Sequence, residues 1–129
     1  MGRVVIIDTS VLLSLFFDEP LAPWCAGQLN EHASVLAMST VNLAETLIRV
    51  RDRYPEQLPK VKDTLETMGI RYVAPDVEQA TIAADARHRY PFNLGDCFVY
   101  ALAKVEDLGI LTLDLDFRAV DCPVTLPKG

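Results

Sequence analysis

Basic charge, histidine, paired cysteine and long apolar runs are all scarce in this chain. Twelve Lys and Arg stand against eighteen Asp and Glu, for a net charge of -6. That balance argues against a protein that coats nucleic acid through bulk positive charge. The cysteines, Cys25, Cys97 and Cys122, are odd in number and form no C-x-x-C pair. A disulfide scaffold and a zinc knuckle are therefore not expected, and the thiols read as reduced and buried. His32 and His88 are too few and too scattered for a zinc site. There is no Gly-rich phosphate loop and no Ser-His-Asp signature. No segment approaches the ~18 uninterrupted apolar residues of a membrane span. Asp8 interrupts the apolar start of the chain, and no small-residue cleavage pattern follows Asp18-Glu19, so a signal peptide is not expected. These absences describe a soluble, cytoplasmic protein that does not engage a membrane.

Half of the residues are hydrophobic and 23% are charged, which suits a folded chain rather than a disordered one. A length of 129 residues suits one domain spanning 1–129. Val4-Val5-Ile6-Ile7 is a branched apolar run that reads as a strand buried on both faces, and Asp8 stops it. Thr9 or Ser10 then caps a helix reaching Phe17. Pro20 and Pro23 open a second helix, to about Ala33. Val35–Met38 is the next strand, followed by a helix from Val41 to about Tyr54 with an apolar stripe. A polar helix to Met68 ends at Gly69, a strand covers Ile70–Ala74, and a helix opened by Pro75-Asp76 runs to Tyr90. Asp96 starts a further helix, closed by Gly109. Ile110–Leu113 is a fourth strand, ended by Asp114, and a helical turn at Phe117 leads to a last strand near Val124. Strands alternating with helices predict a three-layer α/β/α sandwich with a mainly parallel sheet of four to five strands.

That architecture gives the acids a common destination. Asp8 and Asp114 end strands, while Glu45 and Asp96 lie early in helices, and helices in such a sheet begin at the edge where strands end. The four carboxylates can therefore converge, with Asp116 a fifth candidate. Each also has an ordinary explanation: Asp96 as a helix cap, Glu45 as an i,i+4 partner of Arg49, Asp114 and Asp116 as turn residues. Converging carboxylates repel one another. A hard divalent cation relieves that repulsion, and oxygen ligands with water suit Mg²⁺ or Mn²⁺. Such ions activate water and stabilise charge on a phosphodiester.

Four segments carry a resemblance: Val5-Ile6-Ile7-Asp8-Thr9-Ser10, Ser39-Thr40-Val41-Asn42-Leu43-Ala44-Glu45, Leu94-Gly95-Asp96-Cys97-Phe98-Val99-Tyr100-Ala101-Leu102-Ala103, and Leu111-Thr112-Leu113-Asp114-Leu115-Asp116-Phe117. In order and spacing the chain resembles the PIN-domain nucleases, especially the VapC-type toxins of toxin–antitoxin pairs. The resemblance implies a metal-dependent ribonuclease with Asp8, Glu45, Asp96 and Asp114 as the catalytic, Mg²⁺- or Mn²⁺-holding acids. The doublet leaves the last position open to Asp116. The resemblance also implies that Thr9, Ser10 and Thr112 line the site. Cys97 and Phe98 stand where smaller or aliphatic residues are expected, which touches packing beneath the site. An RNA substrate needs basic residues at the rim, for which Arg49, Arg53, Arg87 and Arg89 are candidates. A homodimer and a VapB-type antitoxin are further implications. The apolar residues Leu12, Leu13, Leu15, Phe16, Phe17, Leu21 and Trp24 serve either the antitoxin groove or the core. The competing readings are a non-catalytic RNA- or protein-binding module and a haloacid-dehalogenase-type phosphatase. The latter needs its aspartate doublet after the first strand, whereas Asp114-Leu115-Asp116 lies near the C-terminus.

Overall fold

The computed structural model describes residues 3–128. Its elements follow in order as β1 (Val5–Ile7), α1 (Thr9–Phe16), α2 (Ala22–Glu31), β2 (Leu36–Ser39), α3 (Thr40–Arg53), a 3₁₀ turn (Pro55–Gln57), α4 (Leu58–Thr67), β3 (Arg71–Val73), α5 (Val77–Arg89), α6 (Leu94–Glu106), β4 (Gly109–Leu111), a second 3₁₀ turn (Leu115–Ala119) and β5 (Val124–Thr125). The five strands form one wholly parallel sheet in the order β3-β2-β1-β4-β5.

The side-chain period of two sorts the central strands between two cores. Val5, Ile7, Leu36, Met38 and Leu111 face one side, where they pack with residues of α1 to α4. Ile6, Ala37 and Ile110 face the other, against α5, α6 and Phe117. Apolar residues on both faces are what a parallel sheet covered by two helical layers requires. The chain winds outward through β2 and β3 with α1–α4 on one face. It then returns through α5 and α6 on the opposite face to place β4 against the free side of β1. The winding reverses between β1 and β4, so the ends of these two strands border the switch-point crevice where open α/β sheets bind ligands.

Local chemistry moves several boundaries. Helix α1 already includes Thr9, and Asp8 occupies the N-cap position without a side-chain cap bond; Thr9 and Ser10 are thus inside the helix rather than capping it. Helix α6 begins at Leu94, two residues before Asp96, because Asn93 caps it. The left-handed residue that ends α6 is Asp107 (φ 55°), not Gly109, which enters β4; a short polar side chain tolerates that conformation. Strand β4 ends at Leu111, so Asp114 does not directly end it. Asp114 instead caps the second 3₁₀ turn, accepting a bond from the Asp116 amide. Cys25 and Cys97 are buried free thiols, and Cys122 is a partly exposed one. No helix among the described residues is long and apolar enough to cross a membrane.

Candidate active site

A cleft of about 290 Å³ opens at the switch point, and Asp8, Glu45, Asp96 and Asp114 all line it. Four different elements deliver them: the end of β1, the second turn of α3, the first turn of α6 and the loop after β4. Asp116 is exposed and does not line the cleft.

Each of the four carboxylates has one oxygen held by the protein. Asp8 Oδ2 accepts from Ser10 Oγ and Thr112 Oγ1, both at 2.7 Å. Glu45 Oε1 accepts from Thr9 Oγ1 at 2.7 Å. Asp96 Oδ2 accepts the Asn93 amide at 3.1 Å, and the Asn93 side chain accepts the Asp96 amide at 2.9 Å, a reciprocal capping box. Asp114 Oδ1 takes the Asp116 amide at 2.9 Å. Among the described residues the second oxygen of each carboxylate has no protein donor. The hydroxyls are therefore orienting groups. Thr112, fully buried, also accepts the Asp114 amide at 2.9 Å, and Ser10 Oγ accepts the Leu113 amide at 3.1 Å. This small network ties the Asp8 and Asp114 segments together.

The electrostatics follow from burial and crowding. Asp8 is 4% exposed. Burial raises its pKa above the ordinary carboxylate value, the Thr112 and Ser10 hydroxyls oppose the rise, and the charges of Glu45 and Asp114 add to it. Asp96 is pushed up to about 7, chiefly by burial, against the Asn93 backbone bond and with the charges of Asp8, Asp114 and Glu45 behind it. Two carboxyl groups thus sit above their usual range, chiefly because they are buried and secondarily because other acids crowd them.

The ion pairs among the described residues include neither Glu45 nor Arg49, so the surface-pair explanation of Glu45 does not hold. Arg49 and Arg53 share a face of α3 and line the cleft. Arg53 lies over the rings of Phe17 (4.7 Å) and Tyr54 (5.4 Å) and reaches Glu19 at 4.0 Å. Arg87 and Arg89 do not line the cleft; Arg89 pairs with Asp85 and stacks on Tyr90.

A donor set made wholly of oxygen excludes a soft-metal site and suits Mg²⁺ or Mn²⁺. Among the described residues no three carboxylate, imidazole or thiol groups form a preformed metal cage. Mg²⁺ keeps several waters and takes one or two carboxylates together with substrate phosphate oxygens. The residues present fit such an ion.

A family model of the PIN domain matches residues 5–122. The chain belongs to the PIN-domain family. Among its relatives, the ribonuclease VapC of Mycolicibacterium smegmatis is 37% identical over 125 residues, covering 91% of this chain and 96% of the relative. Ribonuclease VapC30 of Mycobacterium tuberculosis is 33% identical, covering 95% of this chain and all of the relative. Among solved structures, VapC20 of Mycobacterium tuberculosis, a sarcin-ricin loop cleaving toxin, superposes with a TM-score of 0.81 at 16% identity and covers 95% of this chain and 99% of that one. A toxin–antitoxin complex from Klebsiella pneumoniae superposes at 0.80 and 19%, covering 96% and 98%. At those identities the superpositions establish the PIN fold.

Three residues that side-chain chemistry alone does not single out pack against or hydrogen-bond the segments that carry Glu45 and Asp96. Asn42 is fully buried on α3 and donates its amide to the Gly95 carbonyl at 3.1 Å. Asn93 supplies the other half of the Asp96 box. Gly95 leaves the space that the Glu45 carboxylate occupies. The Asn-x-x-Asp spacing at 93–96 is a capping-box signal of the kind that marks a helix start. Asn42 within an apolar stripe is a buried-polar signal.

Proposed function

We propose that this chain is a divalent-metal-dependent ribonuclease, the toxin of a VapBC-type toxin–antitoxin pair, with Asp8, Glu45, Asp96 and Asp114 as its acidic set. The observation that carries the reading is the arrangement of those acids. Four carboxylates line one crevice, each fixed through one oxygen and free at the other, in a chain whose relatives include ribonucleases named VapC. A bound Mg²⁺ or Mn²⁺ supplies an activated water and charge stabilisation for in-line hydrolysis of a phosphodiester.

The chain's own residues prepare that chemistry. Asp8 and Asp96, the most buried acids of the four, would hold the ion, and Glu45 and Asp114 would complete or position its surroundings. Ser10 and Thr112 fix the rotamer of Asp8, and Thr9 fixes that of Glu45, so little reorganisation remains at the moment of reaction. Arg49 and Arg53 bring RNA phosphates to an otherwise acidic mouth.

The proposed partners follow the same reading. Leu15, Phe16, Phe17 and Tyr54 line an apolar groove of about 340 Å³, and Phe17 also borders the acidic cleft. This placement suits a VapB-type antitoxin segment that covers the site. Leu12 and Leu13, by contrast, are buried in the core. A homodimer belongs to the same proposal.

The deciding experiment incubates purified protein with structured RNAs in Mg²⁺, Mn²⁺ or chelator, with a phosphomonoester as control. Cleavage of RNA only in metal, and no phosphate release from the control, is expected. RNA binding without cleavage under every condition defeats the nuclease reading in favour of a binding module. The rim has its own test. Replacing Arg49 and Arg53 by Gln is expected to weaken RNA binding and to flatten its salt dependence by about 0.7 in log–log slope for each RNA phosphate that is no longer neutralised. The same change at Arg87 and Arg89 should leave the slope near the wild-type value. Filter binding across a salt series reads both.

A further inference from the structure

Glu45 and Asp96 come from different helices and share no hydrogen bond, so something else must set the spacing between them. Gly95 lies where the two helices meet. A methyl group built on its Cα would stand 2.7 Å from Glu45 Oε1, 2.9 Å from Oε2 and 3.0 Å from Cδ. The Glu45 carboxylate therefore lies directly against the backbone of the α6 first turn, in the volume where any other residue carries its Cβ.

Backbone conformation does not require glycine here. Gly95 sits inside an α-helix, and the positive-φ glycine among the described residues is Gly69. Glycine in a helix is less favourable than alanine, so its use at this position calls for a reason of space. The junction is also clamped from behind. Asn42, three residues before Glu45 on α3, donates its side-chain amide to the Gly95 carbonyl at 3.1 Å. The Asn42 carbonyl lies 3.3 Å from Thr9 Oγ1, and that hydroxyl is 2.7 Å from Glu45 Oε1. Asn42, Gly95, Glu45 and Thr9 thus close a ring that joins α1, α3 and α6.

We propose that Gly95, gripped by Asn42, is a positioning residue that sets where the Glu45 carboxylate stands beside Asp96. The proposal rests on the nuclease reading above. Gly95→Ala pushes the Glu45 carboxylate out of its place at the expense of its bond from Thr9, while the Asn42 bond to the residue-95 carbonyl and the α6 helix persist. It should separate stability from function: the favourable helix propensity of alanine acts on stability, while the displaced acid acts on the ion and the reaction.

The test compares wild type, Gly95→Ala, Glu45→Ala and the double variant by thermal melting in chelator, by melting across an Mn²⁺ titration, and by RNA cleavage. Gly95→Ala is expected to melt at or above the wild-type temperature in chelator. It should need about tenfold more Mn²⁺ for half of the stabilising shift, and lose about 10- to 100-fold in kcat with KM for RNA little changed. In the Glu45→Ala background the same alanine should leave the Mn²⁺ response unchanged, since its effect runs through Glu45. Wild-type Mn²⁺ response and cleavage in Gly95→Ala overturn the role. So does an equal loss in the Glu45→Ala background, and so does a large fall in melting temperature in chelator, which makes Gly95 a structural glycine. A wild type that neither responds to Mn²⁺ nor cleaves RNA instead defeats the nuclease reading itself, and this role with it.

Discussion

Asp8→Asn is expected to lower RNA cleavage by about a thousandfold while leaving the fold intact. The Asp8 Oδ2 atom accepts hydroxyl bonds from Ser10 and Thr112, and an asparagine oxygen accepts the same two bonds. The rotamer and the β1–α1 junction should therefore persist. What changes is the other side of the group. Its free oxygen becomes an NH₂, which donates and cannot ligate a cation. Loss of a metal's charge stabilisation costs several kcal/mol in the transition state, and each 1.4 kcal/mol is about a factor of ten in rate. Asp8 is also a buried carboxylate whose pKa is raised, so removing its charge should stabilise the metal-free protein at neutral pH rather than weaken it. Single-turnover cleavage after metal repletion, read beside denaturation in chelator, checks both halves. Full activity in the repleted variant would remove Asp8 from the chemistry.

The fold was legible because its signals are local. Val4-Val5-Ile6-Ile7 is apolar at every position, which a strand covered on both faces requires, and the pattern predicts its parallel neighbours. The convergence of acids was legible one step further on, because strand ends and helix starts share an edge in a parallel sheet. Packing determined the rest. Arg49 and Arg53 line the cleft while Arg87 and Arg89 do not, and that depends on how α3 and α5 are rotated against the sheet, which charge spacing does not encode. Asp114 and Asp116 differ in the same way: a two-residue step around a 3₁₀ turn sends one into the crevice and the other to solvent. Asn42 and Gly95 are further from reach. Gly95 looks ordinary alone, Asn42 shows only as a polar residue among apolar ones, and their joint meaning lies in a hydrogen bond across 53 positions.

Asp96 carries the other large expected effect, and its sign depends on pH and on metal. Its pKa in the folded chain is about 7 against an ordinary 3.8. Between those values the folded protein holds a proton that the unfolded chain has released. Metal-free stability should therefore be full below about pH 4, fall as pH rises through the window to about 7, and stay low above it. At about 1.4 kcal/mol per pH unit, the fall is on the order of 4 kcal/mol at most, and the raised pKa of Asp8 acts in the same direction. Asp96→Asn abolishes this loss at its own position. The amide oxygen still accepts the Asn93 amide that Asp96 Oδ2 holds, so the cap survives with a weaker, uncharged acceptor, a loss of about 0.3–1 kcal/mol of favourable charge at the helix start. In chelator at pH 8 the variant should be more stable than wild type by a few kcal/mol, and at pH 4 equal to it or slightly less stable. Metal acts the other way. An ion bound only to the folded protein adds about 2.7 kcal/mol at a hundred times its dissociation constant, and wild type gains this where the variant gains little. Saturating Mn²⁺ at pH 8 should therefore narrow the gap or reverse it, and the Mn²⁺ affinity of wild type should fall as pH drops below about 7, because protons compete for Asp96. Urea denaturation at several pH values, with chelator and with Mn²⁺, separates the two contributions. If Asp96→Asn is the less stable protein in chelator at pH 8, the capping box outweighs the cost of the buried charge, and Asp96 is a structural residue before it is a ligand.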